Sequence, residues 1–159
     1  MSVASLVIID DDPRAIELLQ EALEDQDGLS ITGITDPDAG ILHVLKTRPE
    51  IVILDLVLPG ADGLNLLERI SHSTPMTDTI LLTGNYSPES AVEAIRKGAS
   101  DYLTKPVSVK EIRKIVARLV DEAAKRSRAI QLEGELVGAS SFQGMVGRSP
   151  AIYDVFRRI

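Results

Sequence analysis

The sequence predicts a doubly wound α/β domain, a five-stranded parallel sheet with helices on both faces. Three observations carry this expectation. Short apolar runs alternate with longer amphipathic segments along most of the chain. The segments SLVIID (5–10) and EIVILDL (50–56) each hold an unbroken apolar run, 6–9 and 51–54, that leads into an acid, the pattern of strands buried on both faces. The amphipathic segments open on Asp or Ser, often with proline behind, as helix starts do.

The elements follow in order. Residues 5–10 form the first strand. Asp12 caps a helix over 13–26, with Pro13 in its first turn and Ile16, Leu19 and Leu23 at helical spacing. LSITGIT (29–35) alternates as a second strand. Asp36 and Pro37 open a second helix, to about Leu45. Residues 50–56 form the third strand, followed by a turn at Pro59–Gly60. A third helix covers 62–71 and a fourth strand 79–84. Ser87 and Pro88 start a fourth helix, which Gly98 stops. SDYLTKP (100–106) is the last strand. Ser108 and Glu111 have the spacing of a capping box for a fifth helix.

That helix has no stop signal at the domain edge, since neither Pro nor Gly occurs between Ser108 and Gly134. Ile112, Ile115 or Val116, Leu119 and Ala123 share a stripe that fades into charge. Two readings stand: a linker helix that pairs with its copy in a dimer, or a solvated helix end. The expected organisation is a sheet domain over 1–122, a helical linker over 123–141 and the opening of a second domain over 142–159. There, Ser149 and Pro150 look like the start of another helix, cut short by the chain end.

Composition narrows the function. Of the 159 residues, 44% are apolar and 26% charged, enough for a packed core, and with 3% aromatics that core must be aliphatic. The net charge of −7 argues against a nucleic-acid footprint within this segment. The chain has no cysteine, hence no disulfide and no thiolate metal site. No signal peptide or membrane-length apolar run is visible, so a cytoplasmic protein with no membrane partner is expected.

The chemistry gathers at the strand ends. Asp10 and Asp11 follow the first strand, Asp55 ends the third, Thr83 the fourth, and Lys105 the fifth. In an open parallel sheet, ligands bind at the carboxyl ends of the strands, so these side chains should converge. Three carboxylates together repel one another unless a cation sits among them. Mg²⁺ suits one or two carboxylates plus phosphate oxygens, and Lys105 adds a fixed positive charge. Carboxylates, a metal, a lysine and a hydroxyl make a phosphoryl-transfer site, with Asp55 as the attacking carboxylate and Asp10 and Asp11 better placed as metal ligands. Taken singly, each feature has a blander reading: an acid pair after a strand is usually a cap or loop solvation, and Lys-Pro or Thr-Gly is usually a turn. Their co-occurrence on successive strands is what points to a site. Asp12 is read as a cap alone.

IIDDDP, ILDLVLPGADGL, ILLTG and DYLTKP, in this order and spacing, resemble the response-regulator receiver family, with its flavodoxin-like fold and strand order 2-1-3-4-5. The resemblance covers about residues 5–120. It implies that Asp55 is the phosphoacceptor for a sensor histidine kinase. It makes Asp10 and Asp11 the acidic pocket, with Asp11 a direct Mg²⁺ ligand and the Val57 backbone carbonyl completing the metal shell. Thr83 is then the switch hydroxyl, Lys105 the phosphoryl partner and Tyr102 the aromatic switch that turns inward on activation. The Lys105–Pro106 bond is expected to be cis, which proline permits. By the same analogy Arg14, Glu17 and Leu18 meet the kinase, and the surface of about 88–122 with the linker helix is the homodimer face.

FQGMVGRSPAIYDVFRRI (142–159) is similar to the opening of the AAA+ ATPase domain of NtrC-type activators of sigma-54 RNA polymerase. A G-x-x-x-x-G-K loop does not follow within this sequence, so this segment is not expected to hydrolyse ATP by that route. Contacts with sigma-54 RNA polymerase and DNA are expected of a parent protein.

Other classes fit less well. A haloacid-dehalogenase-like phosphatase needs an acid two residues after its nucleophile, where this chain has Val57. A Rossmann nucleotide site needs a glycine-rich turn where this chain has three acids. A receiver-like interaction module that is never phosphorylated would ordinarily lack a pocket residue, and none is missing. His43 and His72 have no metal spacing and are read as surface residues. Val57 and Asn85 should flank the path of a hydrolytic water. Valine cannot orient that water, so self-dephosphorylation is expected to be slow to intermediate.

Overall fold

The computed structural model describes residues 3–142, with side chains as far as Gly134. β1 (Ala4–Ile9) continues into a loop in which Asp12 caps α1 (Pro13–Leu23), its carboxylate accepting from the Arg14 amide. β2 (Leu29–Ile34) leads to α2 (Pro37–Thr47), capped by Asp36 through the Ala39 amide. β3 (Ile51–Asp55) is buried along its whole length. A small hairpin follows, with β4 (Val57–Leu58) antiparallel to β5 (Ala61–Asp62). Pro59 and Gly60 close it, and Gly60 has φ +69°, the left-handed value that glycine supplies at the second position of such a turn. Then come α3 (Gly63–Ser73), β6 (Asp78–Thr83), α4 (Pro88–Arg96), β7 (Asp101–Thr104) and α5 (Val109–Phe142). The Glu111 amide donates to Ser108 Oγ at the start of α5.

The five long strands form one sheet in the order β2-β1-β3-β6-β7, every pair parallel. Counted within that sheet alone, this is the expected 2-1-3-4-5. Successive side chains leave opposite faces, and the apolar runs therefore feed two cores. Leu6, Ile8, Ile53 and Leu82 pack with Ile16 and Leu19 of α1 and with Ile112 and Val116 of α5. Val7, Ile9, Leu54 and Leu81 pack with Ile41 of α2, Leu66 and Ile70 of α3 and Ala94 of α4. Each fully buried aliphatic side chain contributes roughly 1.5–3 kcal/mol. A one-residue slip of β3 would therefore be costly, because it would swap both cores at once.

That locked register places the strand ends. Ile9 pairs with Leu54, Asp55 with Leu82, and Thr83 with Thr104. Hydrogen bonds continue past the strands: the Asp10 amide to the Ile34 carbonyl (3.3 Å), Leu56 to Leu82 (2.7 Å) and Lys105 to Thr83 (2.7 Å). Backbone bonds thus fix the residues that carry the chemistry.

The chain divides after Val120. Beyond it α5 continues through Gly134 to Phe142, with an exposed i,i+4 ion pair between Asp121 and Lys125 (3.1 Å) and exposed Ile130 and Leu132. The segment 143–159, with its similarity to an ATPase opening and its expected helix, lies outside the described residues. Among the described residues no helix is long and apolar enough to cross a membrane.

Candidate functional site

Asp10, Asp11, Asp55, Thr83 and Lys105 all sit at or one to two residues beyond the carboxyl ends of β1, β3, β6 and β7. Asp10 and Asp55 are 1% and 7% exposed, while Asp11 is open to solvent. One oxygen from each of the three carboxylates lies within 4.8 Å of the other two. Lys105 bridges two of them: its Nζ donates to Asp10 Oδ2 and to Asp55 Oδ2, each at 3.0 Å. The remaining oxygens are held locally. Asp10 Oδ1 accepts from the Asp12 amide (3.0 Å), and Asp55 Oδ1 from the Val57 amide (3.1 Å). The Lys105–Pro106 peptide is cis.

These contacts set the electrostatics. Burial pushes the Asp55 carboxyl above its ordinary pKa, with the nearby Asp10 charge adding to it and Lys105 and the Val57 amide pulling the other way. Burial works against the Lys105 ammonium, but its hydrogen bonds to Asp10 and Asp55 outweigh that, and its pKa is raised. The result is a lysine held charged beside an aspartate that is costly to ionise in isolation.

Thr83 is buried at the end of β6. Its hydroxyl accepts from the Asn85 amide (3.1 Å) and donates to the Asn85 carbonyl (3.2 Å), so it is committed to the following loop. Tyr102 on β7 is half-buried against the α3 and α4 side of the core, and its hydroxyl is buried without a hydrogen-bond partner. The Val57 side chain is 69% exposed. His72 is exposed in the last turn of α3, and His43 is half-buried on α2.

The backbone supports of the site carry little signature in the sequence. Gly63 opens α3 with its amide on the Leu56 carbonyl (3.1 Å). A methyl group at Gly63 would lie 2.6 Å from Leu56 Cα and 2.8 Å from the Asp55 carbonyl oxygen. The hairpin thus folds back tightly over the backbone that carries Asp55. The Asp-Gly pair at 62–63 was the available signal, and it reads equally well as an ordinary helix cap. The Asp12 and Val57 amides were invisible for another reason: any residue supplies an amide.

A family model described as the response regulator receiver domain matches residues 6–117. The chain belongs to the response regulator receiver domain family. It is 33% identical over 156 residues to the DNA-binding transcriptional regulator NtrC of Escherichia coli K12, covering 96% of this chain and 31% of that protein. It is 32% identical over 149 residues to the nitrogen assimilation regulatory protein NtrX of Azorhizobium caulinodans, covering 92% of this chain and 32% of that one. The chain therefore spans about a third of the length of these relatives. Among solved structures it is similar to a CheY-like response regulator receiver domain protein from Methanospirillum hungatei JF-1. That match has a TM-score of 0.72 and 26% identity, covering 78% of this chain and 98% of that one. Receiver domains are signalling domains in which phosphorylation and Mg²⁺ dependence are general, with the metal bound at the acidic pocket. The donor set here fits such an ion, since three carboxylates converge on one point and all are hard oxygen ligands.

Proposed function

We propose that this receiver domain is a phosphorylation switch in which Asp55 takes a phosphoryl group from a phosphohistidine of a sensor kinase. The observation that carries the reading is the shared lysine: Nζ of Lys105 lies 3.0 Å from both Asp10 and Asp55, at the rim of three converging carboxylates. An Asp55 carboxylate oxygen attacks phosphorus in line, the P–N bond to the histidine breaks, and the imidazole leaves with its electron pair. Asp10, Asp11, Asp55 and the Val57 carbonyl would hold Mg²⁺, which when bound neutralises charge on the phosphoryl oxygens. Lys105 exchanges part of its contact with Asp55 for a phosphoryl oxygen. The Val57 amide keeps Asp55 oriented throughout. Thr83 leaves Asn85 for the new oxygens, and Tyr102 responds as the aromatic switch.

The kinase face is supported by a cavity of about 450 Å³ beside Asp10 and Lys105, walled by Leu18 and Leu19 of α1 and by Val107 and Val109. Arg14, Glu17 and Leu18 are exposed on α1, and Leu18 lines the cavity. The reading extends to a cytoplasmic regulator. It homodimerises through α4, β7, α5 and the linker over 123–141, and 142–159 begin an ATPase domain. Its parent contacts sigma-54 RNA polymerase and DNA.

Intact mass after incubation with acetyl phosphate tests the switch. The expected result is a Mg²⁺-dependent gain of one phosphoryl group, absent in Asp55→Asn. No gain in a folded chain that still binds Mg²⁺ would favour a receiver-like interaction module that is never phosphorylated.

A further inference from the structure

We propose that the outer edge of β2 is a docking site for an extended, lysine- or arginine-bearing segment of a partner protein, which joins the sheet as a further strand. None of the residues involved serves the chemistry at Asp55. β2 stands at the end of the sheet order, and among the described residues no strand pairs with its outer side. The register shows which of its groups are open. The Ala4 amide donates to the Gly28 carbonyl (2.8 Å) and the Asp10 amide to the Ile34 carbonyl (3.3 Å), so the even-numbered residues of this stretch face β1. Backbone groups alternate sides along a strand. The N–H and C=O of Leu29, Ile31 and Gly33 therefore lie at the free edge.

The two edges of the sheet differ. β7 is four residues long, carries Asp101 in an ion pair with Arg118 (3.5 Å) and runs straight into Lys105–Pro106. Shortness, charge and proline are the ordinary protections of an edge. β2 has six residues, LSITGI, with no charge and no proline. Between α1 and β2 lies a groove of about 460 Å³, lined by Leu29 and Ile31 of the strand and by Glu17, Gln20, Glu21 and Glu24 of the helix. The three glutamates are exposed, and among the described residues none makes an ion pair. Glu17 and Glu21 stand four residues apart, where like charges cost a helix stability.

Charge decides the occupant. A second copy paired antiparallel through β2 would set two such glutamate rows against each other. A strand with lysine or arginine at alternate positions meets no such repulsion. Its backbone pairs with Leu29, Ile31 and Gly33, its alkyl stems rest on Leu29 and Ile31, and its charges reach the glutamates.

Solution NMR of the whole isotope-labelled chain tests this, with an acetylated and amidated heptapeptide of alternating lysine and valine as the probe. The peptide should shift the Leu29, Ile31 and Gly33 amide signals and slow their hydrogen exchange, while Ser30 and Thr32, already paired with β1, change less. Glu21→Gln combined with Glu24→Gln should bind it about 2- to 30-fold more weakly, the worth of two exposed ion pairs. A heptapeptide with proline in place of valine keeps the charge but cannot join a ladder, and it should leave the three amides unchanged. If the proline peptide binds as well as the valine peptide, or neither reaches β2, the glutamates only shield the edge and the proposal is overturned. Equal affinity in the double variant removes the charge argument and overturns it too. If the chain alone protects these amides as its concentration rises, the occupant is a second copy, and the partner segment is rejected.

Discussion

Gly63→Ala should damage both the fold and the phosphoryl transfer proposed at Asp55. The new methyl would sit 2.6 Å from Leu56 Cα and 2.8 Å from the Asp55 carbonyl oxygen, where carbon atoms ordinarily stop at about 3.5–4.0 Å. The obstacles are backbone atoms, so no rotamer change relieves the clash. The Leu56 peptide must move by roughly 1 Å, and it is tied to β6 through the Leu82 carbonyl. Overpacking of this kind costs about 1–3 kcal/mol, which for a domain of this size is about 4–12 °C in Tm. The same shift moves the Val57 amide off Asp55 Oδ1, and misplacement by about 1 Å can slow a reaction on the order of 100-fold. Thermal unfolding and the rate of phosphoryl gain from acetyl phosphate are the assays. Gly84→Ala is the control, because a methyl there meets nothing within 4 Å. A Gly63→Ala chain as stable and as fast as the Gly84→Ala chain would refute the reasoning.

Three further outcomes are expected. The pKa of Asp55 is raised in the fold, so its stabilising contribution is full below the ordinary value of 3.8 and is lost as pH climbs through the raised value. Asp55→Asn in EDTA should therefore be more stable than wild type at pH 7, the gap closing below about pH 4; an equal gap at both ends in urea titrations would contradict this. Lys105→Met strips Asp10 and Asp55 of their shared ammonium. It should cost about 1–3 kcal/mol in EDTA, with Mg²⁺ restoring more stability to the variant than to wild type; unchanged unfolding would count against the lysine bridge. Val57→Asn, at a side chain 69% exposed, should alter stability by less than about 0.5 kcal/mol yet shorten the phosphoryl lifetime by orienting water. A lifetime unchanged or longer in a mass-spectrometric chase sinks that idea.

What could be read from sequence follows from period and chemistry. IVIL at 51–54 is apolar throughout because β3 is buried on both faces, and that pattern is unmistakable. Asp12, Asp36 and Ser87 announced their helices because capping needs a short oxygen-bearing side chain at one position. Strands in parallel order bring their carboxyl ends together, so the meeting of Asp10, Asp11, Asp55 and Lys105 was legible before any coordinates. The hairpin of β4 and β5 was not, since two-residue strands have no period. Nor was the clasp of Gly63 on Leu56, which depends on how closely two backbone segments approach. The direction of the Thr83 hydroxyl depends on the loop that follows it.

The central claim is that Asp55, and not its acidic neighbours, receives the phosphoryl group. Borohydride reduces an acyl phosphate to an alcohol, converting a phosphorylated aspartate to homoserine. After phosphorylation with acetyl phosphate and Mg²⁺, reduction and peptide mapping should find homoserine at position 55 alone. Homoserine at position 10 or 11, or none in a chain that has gained phosphoryl mass, would contradict the account.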